Sequence, residues 1–279
     1  MEMKAYRLAD AFIVLSETFR DILHHDYGVP LSKIHIVSGG ADIWRFKPAT
    51  NRIGIKDKLG LSEGTNVILT LRRLVNRMGL LQLLDAWKEA APLIPDTVLL
   101  IGGKGPLKDE LERRIAEYGL QSRVQLLGYI PDSELTDYYQ AADLFVVPSQ
   151  ALEGFGLITV EAMAAGIPVM ATPVGGNREI LQKFRPEMLF ASKNSRDMAA
   201  GLLRMFNQRE HWPTSEQCRD HVMAHYTWEH VSEQVELIFK SVIDHHSIVY
   251  GRNGHTRLQT NRKGGNEKDV ESSVFGSYR

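Results

Sequence analysis

Residues 146–169 read Val146-Val-Pro-Ser-Gln-Ala-Leu-Glu-Gly-Phe-Gly-Leu-Ile-Thr-Val-Glu-Ala-Met-Ala-Ala-Gly-Ile-Pro-Val169. The apolar run Leu144–Val147 has the length of a buried strand and stops at Pro148. Glu153, Gly154 and Gly156 then occupy a loop, and a helix begins near Leu157. Glu161 lies early in that helix, eight residues after Glu153. A turn of this kind, at the carboxyl end of a parallel strand, is where open α/β sheets take their ligands. The backbone amides at Gly156–Ile158 can face an anion, helped by the helix dipole. Carboxylates beside an anion site make chemical sense when they meet hydroxyls, and a sugar–nucleotide carries these on its ribose and its hexose. A plain Rossmann-type glycine loop with two solvated acids fits the same spacing, and both readings stay open at this point.

Working outward, short apolar runs alternate with stretches of helical length. The runs are Phe12–Leu15, Ile34–Val37, Val67–Leu71, Val98–Ile101, Val124–Leu127, Leu144–Val147 and Ile167–Met170. Between them Met78–Ala91, Leu107–Tyr118, Ser133–Ala141 and Leu157–Ala165 read as helices. Strand–helix alternation builds a parallel sheet covered on both faces, so the expected fold is a doubly wound α/β domain followed by C-terminal helices. Pro131-Asp132-Ser133 offers a cap to the helix after it. Gly79 costs helix propensity near a helix start, which implies close packing there. Leu80, Leu81, Leu84 and Trp87 fit the core face of that helix. Asn51–Gly64, polar and glycine-containing, reads as a linker or hinge. The expected organisation is a small α/β piece over residues 1–48, a Rossmann-like domain with C-terminal helices over 49–247, and a disordered tail over 248–279.

Composition narrows the function classes. The 279 residues are 43% hydrophobic and 24% charged, which fits a globular chain and excludes collagen and wholesale disorder. With 33 Lys+Arg against 34 Asp+Glu there is no global field favouring nucleic acid or an anionic membrane. The single cysteine, Cys218, cannot close an intrachain disulfide, which fits a reducing compartment. No apolar run approaches the roughly 20 residues that span a bilayer. The expected location is the cytoplasm, with peripheral contact at the inner membrane face left open.

Other motifs carry less. Gly103-Lys-Gly105-Pro-Leu-Lys108 begins like a dinucleotide fingerprint but ends in Lys, and it lacks the Gly-Lys-Ser/Thr of a phosphate loop. His24-His25 with Asp26, and His245-His246 with Asp244, invite a metal reading. Adjacent helix residues point about 100° apart, however, and rarely ligate one ion. There is no Asp-x-Asp sequence, so no metal site is expected.

The Glu-x7-Glu spacing of Glu153 and Glu161 within EGFGLITVEAMAAGIPVMATPVGG resembles retaining glycosyltransferases of family 4, the glycosyl transferases group 1 type with the GT-B fold. Four further segments match in order. Arg72-Arg73-Leu74-Val75-Asn76-Arg77-Met78-Gly79 resembles the Arg-bearing turn after the first donor-domain strand. Ile101-Gly-Gly-Lys-Gly-Pro-Leu resembles the second glycine-rich turn, and Leu127-Gly-Tyr-Ile-Pro-Asp the loop lining the base. Val37-Ser-Gly-Gly-Ala-Asp with Arg45-Phe-Lys-Pro resembles the crossover between domains. The resemblance covers about residues 5 to 245. It implies that Arg73 contacts a donor diphosphate. The family often has Lys where Met78 stands, and Arg77 is the candidate replacement, chemically apt because a guanidinium forks onto phosphate. It further implies Glu161 on the ribose hydroxyls and Glu153 facing the transferred sugar or its phosphate. Gly154, Phe155, Gly156 and Leu157 form the donor loop, the last three through backbone amides. Gly103 lies in the second turn, and Ile130 meets the base through its main chain. The implied reaction is retaining, metal-independent and free of cofactors. It moves a sugar from a nucleotide diphosphate donor to a glycan, lipid or small-molecule acceptor, as in polysaccharide biosynthesis.

The resemblance begins near the end of that family's N-terminal domain. Most of the acceptor-binding half is therefore expected to be absent, and a separate N-terminal subunit is an expected partner. The contrasting expectation is a nucleotide-sugar-binding module, or inactive fragment, without turnover. Loss of a covering domain predicts exposed apolar surface around Phe12, Trp44 and Phe46, with dimerisation or poor solubility as the consequence.

Overall fold

In the computed structural model the described residues are Tyr6 and residues 8–251, with side chains described to residue 244. The chain divides into two compact units, residues 1–242 and 243–279. Of the tail expected to be disordered over residues 248–279, residues 248–251 instead belong to the helix Trp228–Gly251, and residues 252–279 lie outside the described residues, as do the side chains of His245 and His246.

All seven apolar runs form strands: β1 (Phe12–Val14), β2 (Ile34–Ile36), β3 (Asn66–Leu71), β4 (Thr97–Gly102), β5 (Val124–Gly128), β6 (Leu144–Val147) and β7 (Val169–Ala171). β1 and β2 make a separate parallel pair in the register Phe12 opposite Ile34. The main sheet has the order β5-β4-β3-β6-β7, with every pairing parallel. Val67, Ile68 and Leu69 are fully buried, as are Leu144 to Val147. Continuous apolar strands are what a sheet covered on both faces requires.

The helices are α1 (Glu17–His25), α2 (Arg52–Lys58), α3 (Leu80–Ala90), α4 (Lys108–Glu117), α5 (Leu135–Ala141), α6 (Leu157–Ala164), α7 (Gly175–Phe184), α8 (Ser195–Asn207), α9 (Ser215–His225) and α10 (Trp228–Gly251). On α3 the buried stripe is Leu80, Leu83, Leu84 and Trp87, spaced for one helical face. Leu81, expected on that face, is only partly buried. Gly79, at φ 74° before α3, admits no side chain because an added Cβ would lie 1.8 Å from the Pro148 carbonyl oxygen.

Three expectations change on contact with the structure. Asn51–Gly64 is not an open linker. Asn51 caps α2 by accepting from the Gly54 amide at 3.0 Å, and buried Lys56 donates to the Thr65 carbonyl at 2.6 Å. Arg52 pairs with Asp143 at 2.8 Å, tying this segment to the start of β6. The second change concerns α5, whose N-cap is Glu134 with no side-chain capping bond, so Pro131-Asp132-Ser133 does not cap it. Finally, Phe46 is buried, edge-on to Tyr139 at 5.3 Å, while Trp44 is 78% exposed. The exposed apolar side chains near the first strands include Leu8, Ile13, Leu15, Leu31 and Ile36.

Chain order sets where a site can form. β3 lies at the centre of the main sheet. From it the chain winds outward through β4 to β5, then returns past both to place β6 against the other side of β3. The carboxyl ends of β3 and β6 therefore flank a topological switch point, where loops diverge and leave a crevice.

Candidate functional site

At that switch point the residue after β3 is Arg72, and the residues after β6 are Pro148 and Ser149. The Arg72 side chain is 6% exposed and that of Glu153 is 13% exposed. Arg72 Nη2 donates both to Ser149 Oγ and to Glu153 Oε2. Ser149 Oγ donates to the same carboxylate oxygen at 2.6 Å. Ser149 is fully buried, and its carbonyl accepts from Thr172 Oγ1 at 2.5 Å. The network thus fastens the loop carrying Glu153 to the ends of β3, β6 and β7.

Glu161 sits on α6 in a different environment. Its Oε2 accepts from the Tyr139 hydroxyl at 2.9 Å. Burial raises its carboxyl above the usual value of 4.5, against the opposing effects of the Tyr139 hydrogen bond and the Arg45 charge. Burial and the nearby Glu161 carboxylate hold the Tyr139 phenol well above its own ordinary value. Arg45 is itself paired with Asp132 at 2.7 Å. No ion pair to Glu161 forms among the described residues.

Between the two carboxylates lies the start of α6. Gly156 is its N-cap, at φ 99°, and supplies no side-chain acceptor. The Leu157 and Ile158 amides, at the first helical positions, have no intrahelical acceptor and are left for an external one. Leu157 is 45% exposed, whereas Phe155 is buried and packs on Tyr226 with ring centroids 5.7 Å apart. Gly154 lies against the Phe19 ring.

The basic residues divide. Arg73 is exposed; its carbonyl accepts from the Val75 amide at 2.9 Å, and its side chain makes no hydrogen bond or ion pair among the described residues. Arg77 Nη1 donates to the Leu152 carbonyl at 3.1 Å, and its own carbonyl accepts from the Gln150 amide at 2.8 Å. Arg77 therefore clasps the Glu153 loop from the side. Met78 is buried, so it faces the core rather than the crevice. The Gly103 amide donates to the Gly128 carbonyl at 2.7 Å, joining the second glycine turn to the end of β5. Gly103 also lines a cavity of about 510 Å³ with Leu74, Lys104, Lys108 and Gly128. Half-buried Ile130 follows β5 and reaches Gly102.

Sequence reading missed Arg72, Ser149 and Tyr139. Arg72 was legible only as the neighbour of Arg73, and Tyr139 only as an aromatic on a short helix. The histidine pair at the end of α1 has an ordinary role: His24 Nδ1 lies 2.9 Å from the Val29 carbonyl oxygen. Among the described residues no group of three or more His, Cys, Asp or Glu is arranged to hold a metal ion. Nor is any described helix long and apolar enough to cross a membrane. Burial pushes the Cys218 thiol up to about 12, so it is a packing group rather than a nucleophile.

Residues 51–221 match the family described as Glycosyl transferases group 1. Mannosylfructose-phosphate synthase of Agrobacterium fabrum is 30% identical over 245 residues, covering 84% of this chain and 53% of that protein. The sucrose-phosphate synthase structure from Thermosynechococcus elongatus superposes with a TM-score of 0.72 at 27% identity, over 88% of this chain and 61% of the other. The structure of Anabaena HepE in complex with UDP and glucose superposes with a TM-score of 0.75 at 23% identity, over 85% of this chain and 64% of the other. This chain thus spans between about half and two thirds of the length of these proteins.

Proposed function

Because the chain belongs to the glycosyl transferases group 1 family, we propose that the crevice between β3 and β6 binds a nucleotide diphosphate sugar and serves a retaining glycosyl transfer. The observation that carries this reading is the placement of Glu153 and Glu161 on either side of the uncapped start of α6. Amides at the helix start suit the diphosphate, and the flanking carboxylates suit hydroxyls at its two ends. Glu161 then takes the ribose, and Glu153 the transferred sugar. Binding of UDP and glucose by HepE, a protein of the same fold, supports a donor of this class.

In the transfer the bond between the anomeric carbon and the phosphate oxygen breaks, and its electron pair stays on the diphosphate. The acceptor oxygen bonds to the same carbon, and its proton passes to the departing diphosphate. Negative charge grows on the leaving group, and on this reading Arg73, Arg77 and the α6 amides stabilise it. Fixed charges and dipoles of this kind commonly supply the largest share of catalysis. This arrangement calls for no metal. Exposed Arg73 is free to turn onto a phosphate, whereas Arg77 must release the Leu152 carbonyl to do so. An N-terminal acceptor-binding half, on a separate chain or a longer one, completes the enzyme, and closure of two domains excludes water and aligns the reactants. The short span against its relatives favours a second reading, donor binding without turnover by this chain alone.

The test is a thermal-shift and calorimetric screen with UDP, GDP, ADP, dTDP and their hexose esters. A ligand at 100 times its dissociation constant adds about 2.7 kcal/mol, a shift of several degrees. The expected result is a shift with one base series that Glu161→Ala removes. A folded chain that responds to no nucleotide overturns the reading.

A further inference from the structure

We propose that Arg72 is a positioning residue: by holding Glu153 Oε2 together with Ser149, it presents Glu153 Oε1 to the transferred sugar. The inference rests on the donor-site reading and deepens it, since it concerns which residue decides between a nucleotide sugar and the bare nucleotide.

Four observations converge. A 6%-exposed arginine at the carboxyl end of the central strand is an uncommon arrangement, because guanidinium is rarely buried without a charged partner. Here the partner is the loop carboxylate, reached across 81 residues of chain. Second, both donors to that carboxylate, Arg72 Nη2 and Ser149 Oγ, meet the same oxygen, Oε2. Oε1 has no hydrogen bond among the described residues, so one oxygen is anchored while the other is left for a ligand hydroxyl. Third, Arg72 Nε is buried and unpartnered. The guanidinium therefore holds its place through Nη2 alone, and its position and that of Glu153 depend on each other. Fourth, Ser149 is itself fixed through its carbonyl by Thr172 Oγ1 at 2.5 Å, so the anchor is referred to the rigid ends of β6 and β7. A carboxylate held on one oxygen by two donors keeps a single rotamer, and a polar group held in place before the ligand arrives needs no ordering on binding.

Arg72 thus differs from Arg73 and Arg77. Those residues are exposed and, on the donor-site reading, meet the diphosphate, whereas Arg72 is closed off by the side chain it holds. Its removal should be felt at the sugar and not at the phosphates.

The full chain is titrated by calorimetry with the nucleoside diphosphate and the matching hexose ester that respond in the donor screen, as wild type and as Arg72→Ala, Arg72→Gln and Arg72→Lys. Far-ultraviolet circular dichroism and melting without ligand certify folding. If Arg72→Ala does not fold, Arg72→Gln, which keeps a donor for Ser149 and Glu153, takes its place. The expected result is at least a tenfold loss of affinity for the hexose ester with the diphosphate affected less than twofold, and partial recovery in Arg72→Lys. General loosening of the fold would weaken both ligands together and not separate them. Equal losses for both ligands would mean that Arg72 acts on the phosphates or on the fold, and would overturn the proposal, as would unchanged affinity for both. A wild type that binds neither ligand sinks the donor-site reading and this inference with it. Ordinary binding of both by every variant sinks only the inference.

Discussion

Glu153 and Glu161 are both carboxylates of one strand–loop–helix segment, yet the protein surrounds them oppositely. Glu153 is held by a buried guanidinium and a serine hydroxyl. Glu161 has a phenol and low-dielectric surroundings, and burial raises its carboxyl. The loop carboxylate needs a cation to be fixed in place, since the loop has no regular backbone hydrogen bonding to hold it. The helix carboxylate is already placed by α6, and only its hydrogen bonding must be satisfied. The first is a charge stabilised by its partner; the second is a carboxyl whose ionisation burial opposes.

The widest break in this contrast would come from Gly156→Ala, because Gly156 joins the two environments. Its φ of 99° is strained for any other residue, and an added Cβ would lie 2.2 Å from Asn177 Oδ1. Asn177 is fully buried and accepts from Thr159 Oγ1 at 2.6 Å, so it cannot move aside without losing a buried hydrogen bond. Left-handed strain and overpacking together should cost roughly 3–5 kcal/mol. Chemical denaturation should show this loss, with donor binding lost alongside it.

Next in size is Glu153→Ala. It leaves the Arg72 guanidinium buried with only Ser149 for company, and breaking a buried pair from one side costs about 3 kcal/mol or more. A large drop in the urea midpoint with an unchanged slope is the expected outcome. A drop no bigger than that of an exposed pair, such as Lys240 with Glu236, would show that Glu153 is held by the loop and not by Arg72.

These particulars also mark how far the sequence could be read. The seven strands and the helices of the main sheet were legible because apolar runs of strand length alternated with helical spacing. The Glu-x7-Glu segment was legible because a strand, a glycine loop and a helix are local. Arg72 was not: side by side, Arg72 and Arg73 look alike, and only the β3–β6 pairing and a loop 77 to 81 residues away bury one of them. α2 was hidden for the same reason. Its polar residues read as a linker until Lys56 and Arg52 find Asp143, supplied from the start of β6. Phe46 was misread beside Trp44 because its partner, Tyr139, lies on α5. Local chemistry was visible; pairings set by the winding of the sheet were not.

The finest test of the contrast is Glu161→Gln, which should stabilise the free protein while weakening its donor. The sign follows from the raised carboxyl. Between the ordinary value of 4.5 and the higher folded-state value, the native state holds more protons than the unfolded chain. Stability attributable to Glu161 therefore falls as pH rises through that window, and the full penalty persists above it. Glutamine removes the ionisation but still accepts from Tyr139. At neutral pH the variant should melt higher by about 2–4 °C. Near pH 4, where both states of the wild type are largely protonated at this site, the gain should vanish. Calorimetric melting of the two proteins across that range reads the difference directly. A gain that is constant with pH would mean that repacking is responsible, and that the two glutamates do not differ in the way the structure arranges them.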